Sequence, residues 1–185
     1  MYSVLFRILY CCGLRISEAL RVQHGDVDLG QGILMVRKSK FFKDRLVPMS
    51  PSLQAIVSEY IPLVKRHYPN NNHLFPSRFS DDSIRPRVAY TYFRKILWQS
   101  GIPHGGRGKG PRIHDFRHTF SVHALQKWIG EGIDVYTALP VLSTYLGHEH
   151  MRMTQRYLRL TAEVFPEMLA LTEAYSGEII PEVAQ

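Results

Sequence analysis

Tyr157 carries a hydroxyl whose solution pKa is near ~10, so at neutral pH it attacks poorly unless cations and a base are gathered round it. The stretch His114 to Tyr157 supplies such company: His114-Asp115-Phe116-Arg117-His118, then Leu146-Gly147-His148, then Thr154-Gln155-Arg156-Tyr157. Two cations lie upstream, Arg15 and Lys40. Two arginines, a lysine, two histidines and a tyrosine form a set suited to attack on a phosphodiester. Each residue alone has a plainer reading, since most of the ten tyrosines must be packing residues. Their order and company set Tyr157 apart.

A zinc reading competes for His114 and His118, which stand four apart with an acid between them, and His148 and His150 could add ligands. The metalloprotease pattern needs Glu where this chain has Asp115, and zinc gives no role to Arg15, Lys40, Arg117 or Tyr157. No metal and no other cofactor is expected. Gly105 to Gly110 lacks the spacing of a nucleotide-binding loop and follows no strand, so Arg107 and Lys109 are read there as contacts to a nucleic-acid backbone. Arg15 lies between apolar neighbours and calls for an anionic partner. Glu18, within one helical turn, can hold it and leave part of the planar guanidinium for a phosphate.

The elements that must position these residues follow from periodicity. Val4, Leu5, Ile8, Leu9 and Cys12 recur at helical spacing until Gly13 breaks the pattern, and a second helix begins after Arg15. His24 to Gly32 reads as turn. The runs Ile33 to Val36 and Arg45 to Met49 flank a basic tip, Lys38 to Asp44, and make a small antiparallel sheet. Lys40 projects from that tip, and Lys38, Lys43 and Arg45 are candidate DNA contacts. Ser50-Pro51 opens a helix that Pro62 weakens or ends. Tyr68 to Phe79 is loop, and another helix spans Pro86 to Gln99. A helix follows Asp115 to about Ile129, then pieces split by Pro140 and Gly147, then a helix through Met151 to Leu160. Phe165, Met168 and Leu169 mark an amphipathic helix, with a tail from Gly177. The class is mainly α with a small antiparallel β-sheet (α+β).

With 185 residues, 45% apolar content and a formal charge of +7, the chain can bury a core unaided and favours a polyanionic partner. Adjacent Cys11 and Cys12 are poorly placed to pair, which points to a reducing, cytoplasmic setting. No apolar run reaches membrane-spanning length.

Gly13-Leu14-Arg15-Ile16-Ser17-Glu18, Lys40 ahead of Lys43-Asp44-Arg45-Leu46-Val47-Pro48, His114 through Phe120, Leu146-Gly147-His148 and Tyr157 together resemble the catalytic domain of the tyrosine recombinases, the phage-integrase type. The resemblance covers most of the chain in the family's order. It implies that fold over residues 1–176, a tail at 177–185, and an N-terminal core-binding domain and first catalytic helix lying outside the chain. It also implies roles: Arg15 and Arg117 clamp the scissile phosphate, Lys40 protonates the leaving group, His114 and His148 assist, and Tyr157 is the nucleophile. The expected partner is double-stranded DNA, with a monomer when free, a homotetramer on DNA, and bacterial, phage or mobile-element origin. Two rival readings are a type IB topoisomerase, which would relax supercoils, and a DNA-binding integrase remnant without catalysis.

Overall fold

The apolar stripe at the start of the chain does form a helix, α1 (Tyr2–Cys12), burying Val4, Leu5, Phe6, Ile8, Leu9 and Cys12. Gly13 ends it in the left-handed region at φ 60°, where a residue without Cβ is favoured. The structure is a computed structural model and describes residues 1–37, 44–103, 105, 109–148, 150 and 152–157. Lys38, Lys40, Lys43, Arg107 and the expected C-terminal helix and tail lie outside the described residues. The chain divides into two compact units, one formed by Met1–Phe120 with Tyr145–Gly147, the other by Ser121–Thr144 with His148–Gln185.

In the first unit, α2 (Ile16–Arg21) follows α1 after a three-residue link. Glu18 accepts the backbone N–H of Arg15 at 2.9 Å, satisfying one of the donors at the helix start. The sheet is antiparallel in the order β1 (Val27–Asp28), β2 (Ile33–Val36), β3 (Arg45–Pro48). Its register pairs Val27 with Leu34, Ile33 with Pro48 and Val36 with Arg45. Leu34, Val36 and Val47 point into the core, as period-two alternation requires. β1 falls in the segment read from sequence as turn. Two residues are too few to display an alternation.

α3 (Pro51–His67) opens on Ser50, whose hydroxyl accepts from the Leu53 N–H at 3.3 Å. It corrects the expectation that Pro62 ends or weakens this helix, for the helix runs one and a half turns further. A proline inside a helix costs about 3 kcal/mol. Leu53, Val57, Tyr60 and Val64 form an unbroken buried stripe, and each such side chain returns about 1.5–3 kcal/mol when buried. Pro62 itself faces solvent, so the carbonyl it leaves unpaired can be hydrated.

Residues 68–85 are loop, pinned by the Asn71 amide, which donates to the Asp82 carbonyl at 3.0 Å. α4 (Pro86–Gln99) buries Ala89, Phe93 and Leu97. Phe6 of α1, Phe93 of α4 and Phe116 of the next helix meet with ring centres 5.5 to 5.7 Å apart. That contact places the start of α5 (Asp115–Gly130) against α1.

In the second unit, the later part of α5 buries Ser121 and Leu125, and α6 (Val135–Leu146) buries Ala138, Leu139, Leu142 and Ser143. Here too the proline expected to split the helix does not, and Pro140 lies inside one continuous helix. Asp134 accepts the Thr137 N–H at 3.1 Å, and the residue left without a bond to Pro140, Tyr136, is exposed. A helical turn at 152–157 carries Tyr157.

Candidate active site

Arg15 stands at the joint between α1 and α2 because Gly13 turns the chain there. Its Nη1 donates to Glu18 Oε1 at 2.9 Å, the pairing expected within one helical turn. Glu18 is 2% exposed and has a second partner that the sequence did not reveal. Arg45, at the first position of β3, donates from Nη1 to Oε1 at 3.1 Å and from Nη2 to Oε2 at 2.9 Å. Burial alone would raise the Glu18 pKa, but the hydrogen bonds and charge of Arg45, then those of Arg15, outweigh it and hold the carboxyl at about 2.

Arg117 comes up from the first turn of α5 and is almost completely buried at 1% exposure. A buried guanidinium must have its donors met. Nη1 donates to the Gly13 carbonyl at 2.8 Å and Nη2 to the Leu146 carbonyl at 2.7 Å, while Nη1 stands 3.9 Å from Glu18 Oε2. The left-handed turn at Gly13 therefore has a second use: its carbonyl orients Arg117. A Cβ there would lie 2.4 Å from the Phe120 ring.

Three guanidiniums thus surround one carboxylate, leaving an excess of two positive charges in a mostly buried setting. Such an excess of positive charge can attract an anion. His114 opens onto solvent beside it, its ring 4.6 Å from that of His118. The partial cover its ring has, and then the nearby His118, Arg117 and Arg15, push its pKa down to about 4. At neutral pH it is an uncharged imidazole able to accept a proton. Asp115, the acid of the zinc-like pattern, accepts the Arg112 backbone N–H at 2.8 Å and its Nη2 at 3.0 Å, so it closes the turn into α5.

The second unit holds its own pair. Gly147, at φ 64°, ends α6, and the His148 N–H returns to the Ser143 carbonyl at 3.0 Å, a helix-ending motif that fixes the direction of the histidine. His148 Nδ1 and the Thr154 hydroxyl share a hydrogen bond of 2.8 Å. The His148 ring lies nearly parallel to that of Tyr157, with centres 6.0 Å apart. Tyr157 is buried. Of the residues singled out from sequence, the structure gathers Arg15, Glu18, His114 and Arg117 in one unit and His148 and Tyr157 in the other. Lys40 is outside the described residues, and Lys109 is exposed. Arg45, read as a DNA contact at the hairpin, has its guanidinium committed to Glu18. Thr154 and the Gly13 and Leu146 carbonyls were not foreseen.

The model of the phage integrase family matches residues 1–163. The chain belongs to the phage integrase family. Among its members, y4rB of Sinorhizobium fredii, which bears an integrase/recombinase name, is 34% identical over 175 residues, 93% of this chain and 55% of that protein. Tyrosine recombinase XerC of Chlamydia caviae is 29% identical over 167 residues, 86% of this chain and 47% of that one. The chain spans about half the length of the curated integrase relatives it matches. The crystal structure of XerA recombinase superposes with a TM-score of 0.66 at 24% identity, covering 97% of this chain and 62% of that chain. XerH bound to a palindromic difH substrate, in a post-cleavage complex, gives 0.69 at 22% identity over 93% of this chain and 46% of that one. The fold is that of tyrosine recombinase catalytic domains, mainly helical with a small antiparallel sheet, as the sequence implied. Among the described residues no helix is long and apolar enough to cross a membrane.

Proposed function

We propose that this chain is the catalytic domain, over residues 1–176, of a site-specific DNA recombinase that cleaves and rejoins strands through a 3′-phosphotyrosyl intermediate. The observation that carries the reading is the guanidinium cluster about Glu18 with an uncharged imidazole, His114, beside it. Attack on a phosphodiester builds negative charge on the non-bridging oxygens. Arg15 and Arg117 meet that charge with hydrogen bonds worth roughly 1.5–3 kcal/mol each. Tyr157 is the nucleophile, His114 takes its proton, His148 assists, and Lys40 protonates the departing 5′-oxygen. The phosphotyrosyl bond is close in energy to the one broken, so the exchange needs neither ATP nor metal. Lys38, Lys43, Arg107 and Lys109 serve binding, and the partner is double-stranded DNA on which four copies assemble from free monomers. Relatives named as recombinases and integrases favour strand exchange over supercoil relaxation.

The test is covalent capture. The chain is incubated with a pool of nicked duplexes randomised around the nick, and protein-DNA adducts are resolved by denaturing electrophoresis. An adduct that forms in EDTA and disappears in Tyr157→Phe supports the reading. A Tyr157→Phe protein that still forms it refutes the nucleophile, and DNA binding with no adduct from the unmutated chain favours a non-catalytic remnant.

A further inference from the structure

Glu18 has two oxygens with about four lone-pair sites between them, and all four are used. Oε1 accepts Nη1 of Arg15 at 2.9 Å and Nη1 of Arg45 at 3.1 Å. Oε2 accepts the Arg15 backbone N–H at 2.9 Å and Nη2 of Arg45 at 2.9 Å. Arg117 is left at 3.9 Å and takes backbone carbonyls instead. Among the described residues, Nη1 to Glu18 is the one hydrogen bond the Arg15 guanidinium makes.

The position of Arg45 is not that of a surface cation. It is the first residue of β3, paired with Val36, the last residue of β2. Its side chain is 12% exposed and its Nε is buried without a hydrogen-bond partner among the described residues. On the far side, a Cβ on Gly147 would come within 3.3 Å of its Nη1. An arginine serving as a DNA contact would keep Nε hydrated and its fork outward; this one gives up both to present its fork to Glu18.

We propose that Arg45 is a positioning residue for the cleavage reaction: by saturating the Glu18 carboxylate, it restricts the hold of Glu18 on Arg15 to one guanidinium nitrogen and keeps the remainder of Arg15 for the phosphate. Without Arg45, two lone-pair sites of a buried carboxylate lie open. Arg15 is already bonded to both oxygens and Nη1 of Arg117 stands 3.9 Å from Oε2, so both guanidiniums are drawn off the anion site. The inference rests on the reading of Arg15 as a phosphate ligand.

Arg45→Met and Arg45→Lys separate this role from a DNA contact and from a purely structural one. Lysine keeps the charge and much of the packing but lacks the fork. Both variants are expected to bind DNA within about 3-fold of wild type with an unchanged salt slope, while the adduct rate at saturating DNA falls about 10- to 150-fold, the loss of one charge-assisted bond in the transition state. In the DNA-free chain, nitrogen-15 spectra of the Arg15 guanidinium should show weaker binding of inorganic sulfate in both variants. Should Arg45→Met fail to fold, Arg45→Lys carries the test. A wild-type adduct rate in Arg45→Lys overturns the proposal. So does a lowered salt slope of about one unit with an unchanged rate at saturation, which would make Arg45 a phosphate contact. If the unmutated chain forms no adduct, it is the proposed function that falls; the sulfate titration then decides, and unchanged sulfate affinity refutes the positioning role.

Discussion

Nη1 of Arg117 donates to the carbonyl of Gly13 at 2.8 Å across a separation of 104 residues, tying the first turn of α5 to the end of α1. The same glycine holds a left-handed φ of 60° and lies under the Phe120 ring.

Gly13→Ala should therefore be costly on two counts. The left-handed conformation costs about 1–2 kcal/mol for a residue with Cβ, and overpacking against Phe120 about 1–3 kcal/mol more. Urea unfolding should show a loss of about 2–5 kcal/mol. A loss under 1 kcal/mol would mean that the turn relaxes freely and does not define the Arg117 position.

Acid should destabilise the chain through Glu18. Its folded pKa is depressed from 4.5 to about 2, so its contribution is full above the unfolded value and is lost as pH falls from about 5 toward 2. The shift corresponds to roughly 3 kcal/mol. Glu18→Gln should lose about that much near pH 7, consistent with the roughly 3–5 kcal/mol seen when one partner of a buried ion pair is removed. It should also flatten the acid limb of stability against pH. A variant keeping the wild-type slope between pH 5 and 2 would move that slope to other carboxyls.

His114 gives a separate signature. With its pKa lowered from 6.5 to about 4, it stays uncharged through the physiological range, and as pH falls from 6.5 to 4 the unfolded chain takes up a proton that the folded one refuses, which favours unfolding. If it accepts the tyrosine proton, the single-turnover adduct rate should hold level from about pH 5 to 8 and fall near pH 4. A half-fall near pH 6.5 would assign the acid limb to an unperturbed histidine elsewhere.

Thr154→Val removes the partner of His148 Nδ1 while keeping the shape of a fully buried side chain. One hydrogen bond of about 0.5–1.5 kcal/mol corresponds to a roughly 2- to 10-fold slower adduct rate at saturating DNA, with DNA affinity unchanged. An unaltered rate would show that the Thr154 hydroxyl is not what orients the His148 ring.

What the sequence disclosed divides along chain separation. Arg15 with Glu18 was legible because three residues in a helix fix their proximity, and the helices over Pro86–Gln99 and after Asp115 were legible from periodicity and turn residues. Arg45 with Glu18, 27 residues apart, and Arg117 with Gly13 depend on packing that no local pattern encodes. The basic run around Arg45 suggests a DNA contact, and nothing local to it points to Glu18. Pro62 and Pro140 misled for a related reason: the local penalty of a proline is visible in sequence, whereas the buried stripe that overrides it gains its energy only from tertiary contact. Thr154 gave no signal beyond its place between His148 and Tyr157.

The bond between Arg45 and Glu18 also constrains how relatives of this chain can be spliced. The strand leaving the hairpin and the helix after Arg15 are separate segments, yet they share one saturated carboxylate. A chimera that imports a hairpin with another residue in place of Arg45 leaves the Glu18 carboxylate half met, and one that imports an α2 without Glu18 takes away both hydrogen bonds of the Arg45 fork. Replacing Glu18 and Arg45 together should cost less than the sum of the two single replacements, as expected for residues in direct contact. Hairpin and helix are therefore to be exchanged together when a new hairpin is grafted onto this domain.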